Sequence, residues 1–524
     1  MPTAVRPTQA HSHAGGQAGA KPKLYNPRHP ERTLLYQTIA EHFETWHELA
    51  SAGQFDGQGD HHTPKPYVRQ AFRKYLECGI FAHGFARAWC DDCGHDYFVA
   101  YSCKGRGVCP SCNMRRMVET AAHLTDHVFP RLPVRQWVLS VPKRLRYFMQ
   151  RDGAVLNMVL RIFLRVIAQN LQAYCPGAAS VDRAALHIGA VAFIHRFGSS
   201  LNEHVHFHVC MVDGVFEATE SGVIFHPASG IDADTVAQAQ ATLRRRILRA
   251  FVGRGLLESF EAKEMLGYKH SGFSVDAGVC IEAADRAGLE RLLRYCARPP
   301  FAMDRLRKAG SELVYRCAKQ DSEPGSGKRG AKADALHLTP LELIDRIAAL
   351  VPPPRTHRHR YFGVLAPNSP LRAAVTAMAQ GAPAPSAAAQ AESASTALGT
   401  SAPALTLPGN AVTPKPDPVP PKRPAHYLWA VLIARIYEVF PLLCPICGAQ
   451  MRIIAFITHS ADIRQILDHI GVASEPPQIS PARGPPLWDD GGDAQTDAGV
   501  HDEPDWDLAA QPAPDYEVDQ RVSW

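Results

Sequence analysis

The stretch LNEHVHFHVCMVDGVF, residues 201–216, sets both the fold and the chemistry. Histidine takes every second position, at His204, His206 and His208, and the intervening Val205, Phe207 and Val209 are apolar. Successive side chains of an extended chain point to opposite faces, so the spacing predicts a strand with an imidazole side and a core side. The imidazole side is read as facing a metal, a charge or a catalytic cleft. The plainer alternative is the solvated face of an amphipathic strand.

Working outward, RQWVLSVP (135–142), HIGAVAFIHRF (187–197) and GFSVDAGVCIEA (272–283) also read as strands. Residues 145–174 and 283–297 read as helices, the second stopped by Pro299 and Pro300. The expected class is α+β, a mainly antiparallel central sheet with helices on it. No apolar run is expected to span a membrane, because Arg161 and Arg165 interrupt the best one, and the N-terminus lacks the apolar middle of a signal peptide. The net charge of +5 hides an asymmetry. Residues 488–507 are strongly acidic, so the remainder is more basic and suits a polyanionic partner.

Cysteines cluster in RAWCDDCGHDYFVAYSCKGRGVCPSCNMRRM (87–117). The two C-x2-C knuckles, Cys90/Cys93 and Cys109/Cys112, predict one tetrahedral zinc site, since each knuckle supplies two thiolates from a tight turn. Cys103 is a possible substitute ligand, with Cys78, His83 and His95 as weaker ones. Lys104, Arg115 and Arg116 lie alongside, as contact with phosphates would require. A further knuckle, Cys444/Cys447, has no second cysteine pair near it in sequence; His459 and His469 are candidates to complete it, and an incomplete site is the alternative. The cysteines point to a reducing interior and metal ligation, not a disulfide framework.

On the helix LERLLRYCARPP, Leu289, Leu292, Leu293 and Cys296 form one buried stripe. Arg291, Arg294, Tyr295 and Arg298 form a second, which reads either as a solvated basic face or as a tyrosine among guanidiniums that can grip phosphate. With the histidines, it suggests a metal-polarised phosphodiester attacked by a tyrosine hydroxyl.

His206-Phe207-His208 resembles the His-hydrophobic-His motif of the HUH endonucleases. Together with GSSLNEHVHFHVCMVDGVF, the 272–306 segment and the cysteine block, the chain resembles rolling-circle transposases of the insertion sequence 91 family, including its common-region branch. The resemblance spans residues 31–372 and resumes over YLWAVLIARIYEVFPLLCPICGAQMRIIAFI. It implies an HUH-type nuclease fold preceded by a small zinc-binding domain, and single-strand DNA cleavage through a 5′-phosphotyrosine. It also implies catalytic Mg2+ or Mn2+ on His206 and His208, structural Zn2+, and Tyr295 as nucleophile. The third metal ligand stays open: His204 lies on the right face, Glu203 points away, and Asp276 is more distant. Pro299 and Arg291 stand where a second tyrosine would be, so the single-tyrosine branch is expected.

The implied partners are single-stranded DNA at transposon ends and target, with no membrane and with room for oligomerisation, in the bacterial cytoplasm at the nucleoid. The expected domains are a disordered arm (1–30), a zinc-binding domain (31–125), a catalytic domain (126–372), an Ala/Pro-rich linker (373–425), a small CxxC module (426–473) and an acidic tail (474–524). Two competing functions remain: a plasmid replication initiator or relaxase with the same chemistry, and a zinc-dependent DNA-binding regulator without catalysis.

Overall fold

The computed structural model describes residues 28–53, 63–220, 222–268, 272–317, 335–380 and 442–483. Most of the arm, nearly all of the linker, the start of the CxxC module and the acidic stretch lie outside the described residues. The chain divides into two units. The first takes Glu77–Cys103 together with the C-terminal segment Pro418–Pro476, and the second takes Arg32–Leu76 and Lys104–Asp417. The sequence alone predicts residues 31–125 as one domain and the C-terminal module as another, and the division found differs from this.

The first unit is built on a three-stranded antiparallel sheet. β1 (Phe85–Trp89) is central, flanked by β2 (Asp96–Ala100) and by the C-terminal strand Arg452–Ile457. The C-terminal helix Ser460–His469 buries Ile463 and Leu467 against Phe85. Ala88, Cys90, Cys444 and Met451 form a second small core. A strand whose partner lies so far along the chain leaves no local sequence signal, which explains why the module was read as separate.

The second unit begins with α1 (Leu34–Ser51), α2 (Pro66–Glu77), α3 (Pro110–His127), β3 (Val134–Ser140), α4 (Lys143–Arg151) and α5 (Gly153–Ala173). There follow β4 (Leu186–His187), β5 (Gly189–Phe197), β6 (Glu203–Val212), β7 (Gly214–Thr219), β8 (Gly222–Pro227), α6 (Ala233–Val252) and α7 (Ser259–Gly267). Then come β9 (Ser274–Asp276), β10 (Cys280–Ile281), α8 (Arg286–Cys296), β11 (Leu306–Ala309), β12 (Glu312–Arg316), β13 (Ala335–Leu338), α9 (Pro340–Ala349), β14 (His359–Gly363) and α10 (Arg372–Ala377). Helix α1 belongs here because its apolar stripe, Leu35, Ile39, Phe43 and Trp46, is buried, and Trp46 Nε1 donates to Asp345 of α9 at 3.2 Å.

The central sheet has the order β10-β3-β6-β5-β14, with β9 also pairing to β3, and these pairings are antiparallel. Both faces are covered. Val205, Phe207, Val209 and Met211 of β6 join Trp137, Leu139, Ala192 and Ile194 in a core against α5 and α6. On the opposite face Cys210 and Val212 pack with Val191, Phe193 and residues of α3 and α8. Each large side chain removed from water here contributes about 1.5–3 kcal/mol, and a one-residue slip of β6 would exchange its two faces, so the register is strongly fixed. The α+β class with antiparallel sheets is as expected. One expectation changes: α5, a 21-residue helix, is long and apolar enough by composition to cross a membrane. Its Val159, Leu160, Phe163 and Ile167 instead fill the sheet's core.

Candidate functional site

Three imidazoles meet on the α8 face of the central sheet. His206 and His208 come from β6, and His195 from the adjacent β5, where it pairs directly with His206. Their ring nitrogens lie within 4.8 Å of one another, close enough to share an ion. His204 is not one of the three. It sits one alternation further out, beside an irregularity in the β5–β6 register, and its Nδ1 lies 3.1 Å from Nδ1 of His206. Asp276 is exposed on β9, its carboxylate accepting from the Gly278 backbone, and Glu203 is exposed at the start of β6.

Hydrogen bonds assign the lone pairs. His195 Nε2 is 2.6 Å from the Cys296 carbonyl, which can only accept, so Nε2 carries the proton and Nδ1 is left as a bare donor atom. That Nδ1 is buried with no hydrogen-bond partner. His206 Nδ1 likewise faces its own strand's His204 carbonyl at 3.1 Å, which frees Nε2. His208 Nδ1 lies 2.9 Å from the Gln136 amide, while its Nε2 is buried and unpartnered. Gln136 Nε2 is the donor to Nδ1, so the ring proton sits on Nε2, and an ion at Nε2 requires the Gln136 amide to turn its oxygen to Nδ1. Burial, with the positive charges around them, keeps all three rings neutral. It pushes His206 down to about 4, with Arg298 and Arg146 adding to the effect, and His208 to about 3, with His206 and Arg298 adding. His195, entirely enclosed, is held well below the ordinary histidine range. Three neutral imidazoles in one pocket, with His195 Nδ1 and His208 Nε2 buried without partners, suit a metal ion.

Tyr295 stands over this pocket. Its ring meets the His208 ring edge-to-face at 5.6 Å, with 46% of the residue exposed. The predicted apolar stripe of α8 is buried as expected, Leu289, Leu292, Leu293 and Cys296 all facing the sheet core. The arginine stripe is not uniform. Arg294 is held by Glu290 one turn earlier, at 2.6 and 3.1 Å, and Arg291 faces the Asp285 carboxylate at 3.7 Å. Arg298, beyond the end of α8, stacks its guanidinium 4.5 Å from the centre of the Tyr295 ring. Tyr315, by contrast, is buried in β12, stacked on Phe301, with its hydroxyl accepting from the Ala302 backbone at 3.3 Å.

The four cysteines predicted to form one zinc site are divided between the two units. Cys90 and Cys93 belong to the first, where they meet Cys444 and Cys447 instead of Cys109 and Cys112. His459 and His469 are not in that group. In the same unit the Cys103 backbone donates to Cys78 Sγ at 3.2 Å. In the second unit Cys109 caps α3 and Cys112 is buried in its first turn. The pairing with the nearest knuckle in sequence failed because β1 takes its partner strand from the far end of the chain.

Sequence reasoning also missed His195 and Gln136. Both were legible in principle: a short hairpin joins β5 to β6, and counting back from His206 across it reaches His195. Gln136 is the residue of β3 paired with Cys210, one alternation from His208. Residues 189–372 match the family model described as "Putative transposase", and residues 49–141 match the one described as "Transposase zinc-binding domain". No curated protein and no solved structure matches the chain.

Proposed function

We propose that this chain, an insertion sequence 91-like transposase with a zinc-binding domain, cuts and rejoins single-stranded DNA through Tyr295. The observation that carries this reading is the half-exposed Tyr295 ring against His208, at a cluster of three imidazoles in which His195 Nδ1 and His208 Nε2 are buried without partners. His195, His206 and His208 are the residues that would hold a divalent ion, and that ion would polarise the scissile phosphate. Three nitrogen donors suit Mn2+ better than Mg2+, which prefers oxygen.

The residues of the chain supply the rest. Tyr295 Oη attacks phosphorus and forms a 5′-phosphotyrosine; the strand's O3′ leaves and takes up the phenolic proton, so the bond count is conserved. Arg298, stacked on the ring, holds a guanidinium beside the attacking residue, where it can grip the phosphate. A 3′-hydroxyl from another strand reverses the step at a new position without external energy. Arg291 and Arg294 are in reach of their own helix's carboxylates, so their phosphate role demands an exchange of partners on DNA binding.

The test is to incubate the protein with labelled single-stranded ends of its element in Mn2+, then trap and digest the covalent complex. Mass spectrometry should find the nucleotide on the Tyr295 peptide. An adduct on any other residue, or nicking with no adduct, refutes the reading.

A further inference from the structure

The zinc-binding model ends at residue 141, yet the described structure continues the cysteine site beyond it. We propose that Cys90, Cys93, Cys444 and Cys447 together bind one Zn2+, so that a C-terminal knuckle closes a metal site opened at the N-terminal end of the chain.

The two knuckles are built alike. Each reads C-x2-C-G, as CDDCG at 90–94 and CPICG at 444–448. In each, the first cysteine's N–H donates five residues ahead: Cys90 to the His95 carbonyl at 3.0 Å, Cys444 to the Ala449 carbonyl at 2.8 Å. In each, the glycine N–H returns to the first cysteine's carbonyl, from Gly94 at 3.0 Å and from Gly448 at 2.9 Å. Both glycines have left-handed φ, +70° and +77°. The backbone amides of Ile446 and Cys447 point at Cys444 sulfur, that of Ala449 at Cys447 and that of His95 at Cys93, donors that suit thiolates. Cys109/Cys112 differs: Asn113, not a glycine, follows its second cysteine, and the chain enters a helix there.

The spacing fits the ion. A tetrahedron with Zn–S near 2.3 Å sets its sulfurs about 3.8 Å apart. Here Cys90 and Cys447 sulfurs are 3.4 Å apart, as are those of Cys93 and Cys444, and all four lie within 4.8 Å. Both close pairs join one knuckle to the other, so neither knuckle is complete alone. The ion would tie residues separated by 357 positions and hold the C-terminal strand on β1.

Zinc content of the full-length protein decides the matter. Cys444→Ser/Cys447→Ser should lose one zinc per chain, Cys90→Ser/Cys93→Ser should lose the same one, and the quadruple variant no more than one. Loss of two by the quadruple variant, or none by the C-terminal pair, overturns the proposal. A readout that needs no variant of the ligands guards against misfolding. With a protease site placed between residues 381 and 417, the cut C-terminal piece should stay bound in zinc and separate on adding a chelator. Separation in zinc, retention in chelator, or a Cys90–Cys447 disulfide in the freshly purified protein each overturns it.

Discussion

The histidine pocket and the cysteine cluster both gather metal-binding side chains, and the chain assembles them by opposite means. His195, His206 and His208 lie on neighbouring strands of one hairpin, where the register of a single pairing fixes all three. The cysteine cluster instead joins segments 357 and 351 positions apart. A pocket of the first kind comes with the sheet's core, because slipping the strand would drive the imidazoles into the apolar core under α5 and α6 and turn Phe207 onto the α8 face. A cluster of the second kind must close a very long loop, with a cost that grows only slowly with length. Damage to the first should therefore show in chemistry, and damage to the second in the stability of one unit.

The largest expected effect is at Tyr295. Phenylalanine there keeps the ring on His208 and removes the attacking oxygen, so nicking and covalent adduct should fall together by at least about a thousandfold. Tyr315→Phe, which gives up one buried hydroxyl contact, should leave both within a few-fold of the parent. A gel assay for the adduct reads both, and a Tyr315→Phe protein that folds but cannot form it defeats the assignment.

Next come the pocket's ligands. His208→Ala and His195→Ala should each reduce Mn2+ affinity and nicking by more than about a hundredfold, while His204→Ala costs far less. Gln136→Ala should sit between, at about 10–100-fold in metal affinity, because it orients His208 without touching the ion. DNA affinity should survive in all four, since phosphate contacts dominate it and give it a steep salt dependence. Titrating Mn2+ by its paramagnetic signal separates these cases; equal losses at His204 and His195 would return the third-ligand role to His204.

Much of this was legible in the sequence, and the difference between the two regions explains what was not. The alternating histidines gave strand, face and buried apolar partners, because period-two patterning is a local signal. The α8 stripe gave the helix and its buried side for the same reason. His195 escaped because its meaning depends on a pairing register, one step beyond the pattern. The arginines misled in part: spacing put Arg291 and Arg294 on a common stripe, but nearby Asp285 and Glu290 take them up. The cysteines misled most. Proximity in sequence joined Cys90/Cys93 to Cys109/Cys112, and nothing local to Cys444/Cys447 reveals that the C-terminal strand lies on β1.

Arginine exchange gives a smaller effect. Arg298→Ala removes the cation over Tyr295 and should slow adduct formation by about tenfold, corresponding to a loss of about 1.4 kcal/mol. Arg291→Ala, at an exposed site already facing Asp285, should change the rate at most a few-fold. The reverse ranking, measured in single-turnover nicking, would mean that DNA draws Arg291 away from its carboxylate.

The smallest expected effect tests whether the two cysteine knuckles are equivalent halves. Gly448 has φ +77°, and a Cβ built there meets nothing within 4 Å, so alanine would carry only the backbone penalty of left-handed conformation. That penalty is about 1–2 kcal/mol, and about 1 kcal/mol corresponds to a roughly fivefold weakening of zinc binding. Gly94, at φ +70°, would bring its Cβ no nearer than 3.5 Å to the Trp89 ring, an ordinary contact. Gly94→Ala should therefore cost about the same as Gly448→Ala. Asparagine tolerates left-handed φ better than alanine, so Gly448→Asn should recover part of the loss. Competition with a calibrated zinc chelator measures all three. A clear effect at Gly94 with none at Gly448 would mean that the C-terminal knuckle does not share the ion's binding energy, and the symmetry between the halves would be lost.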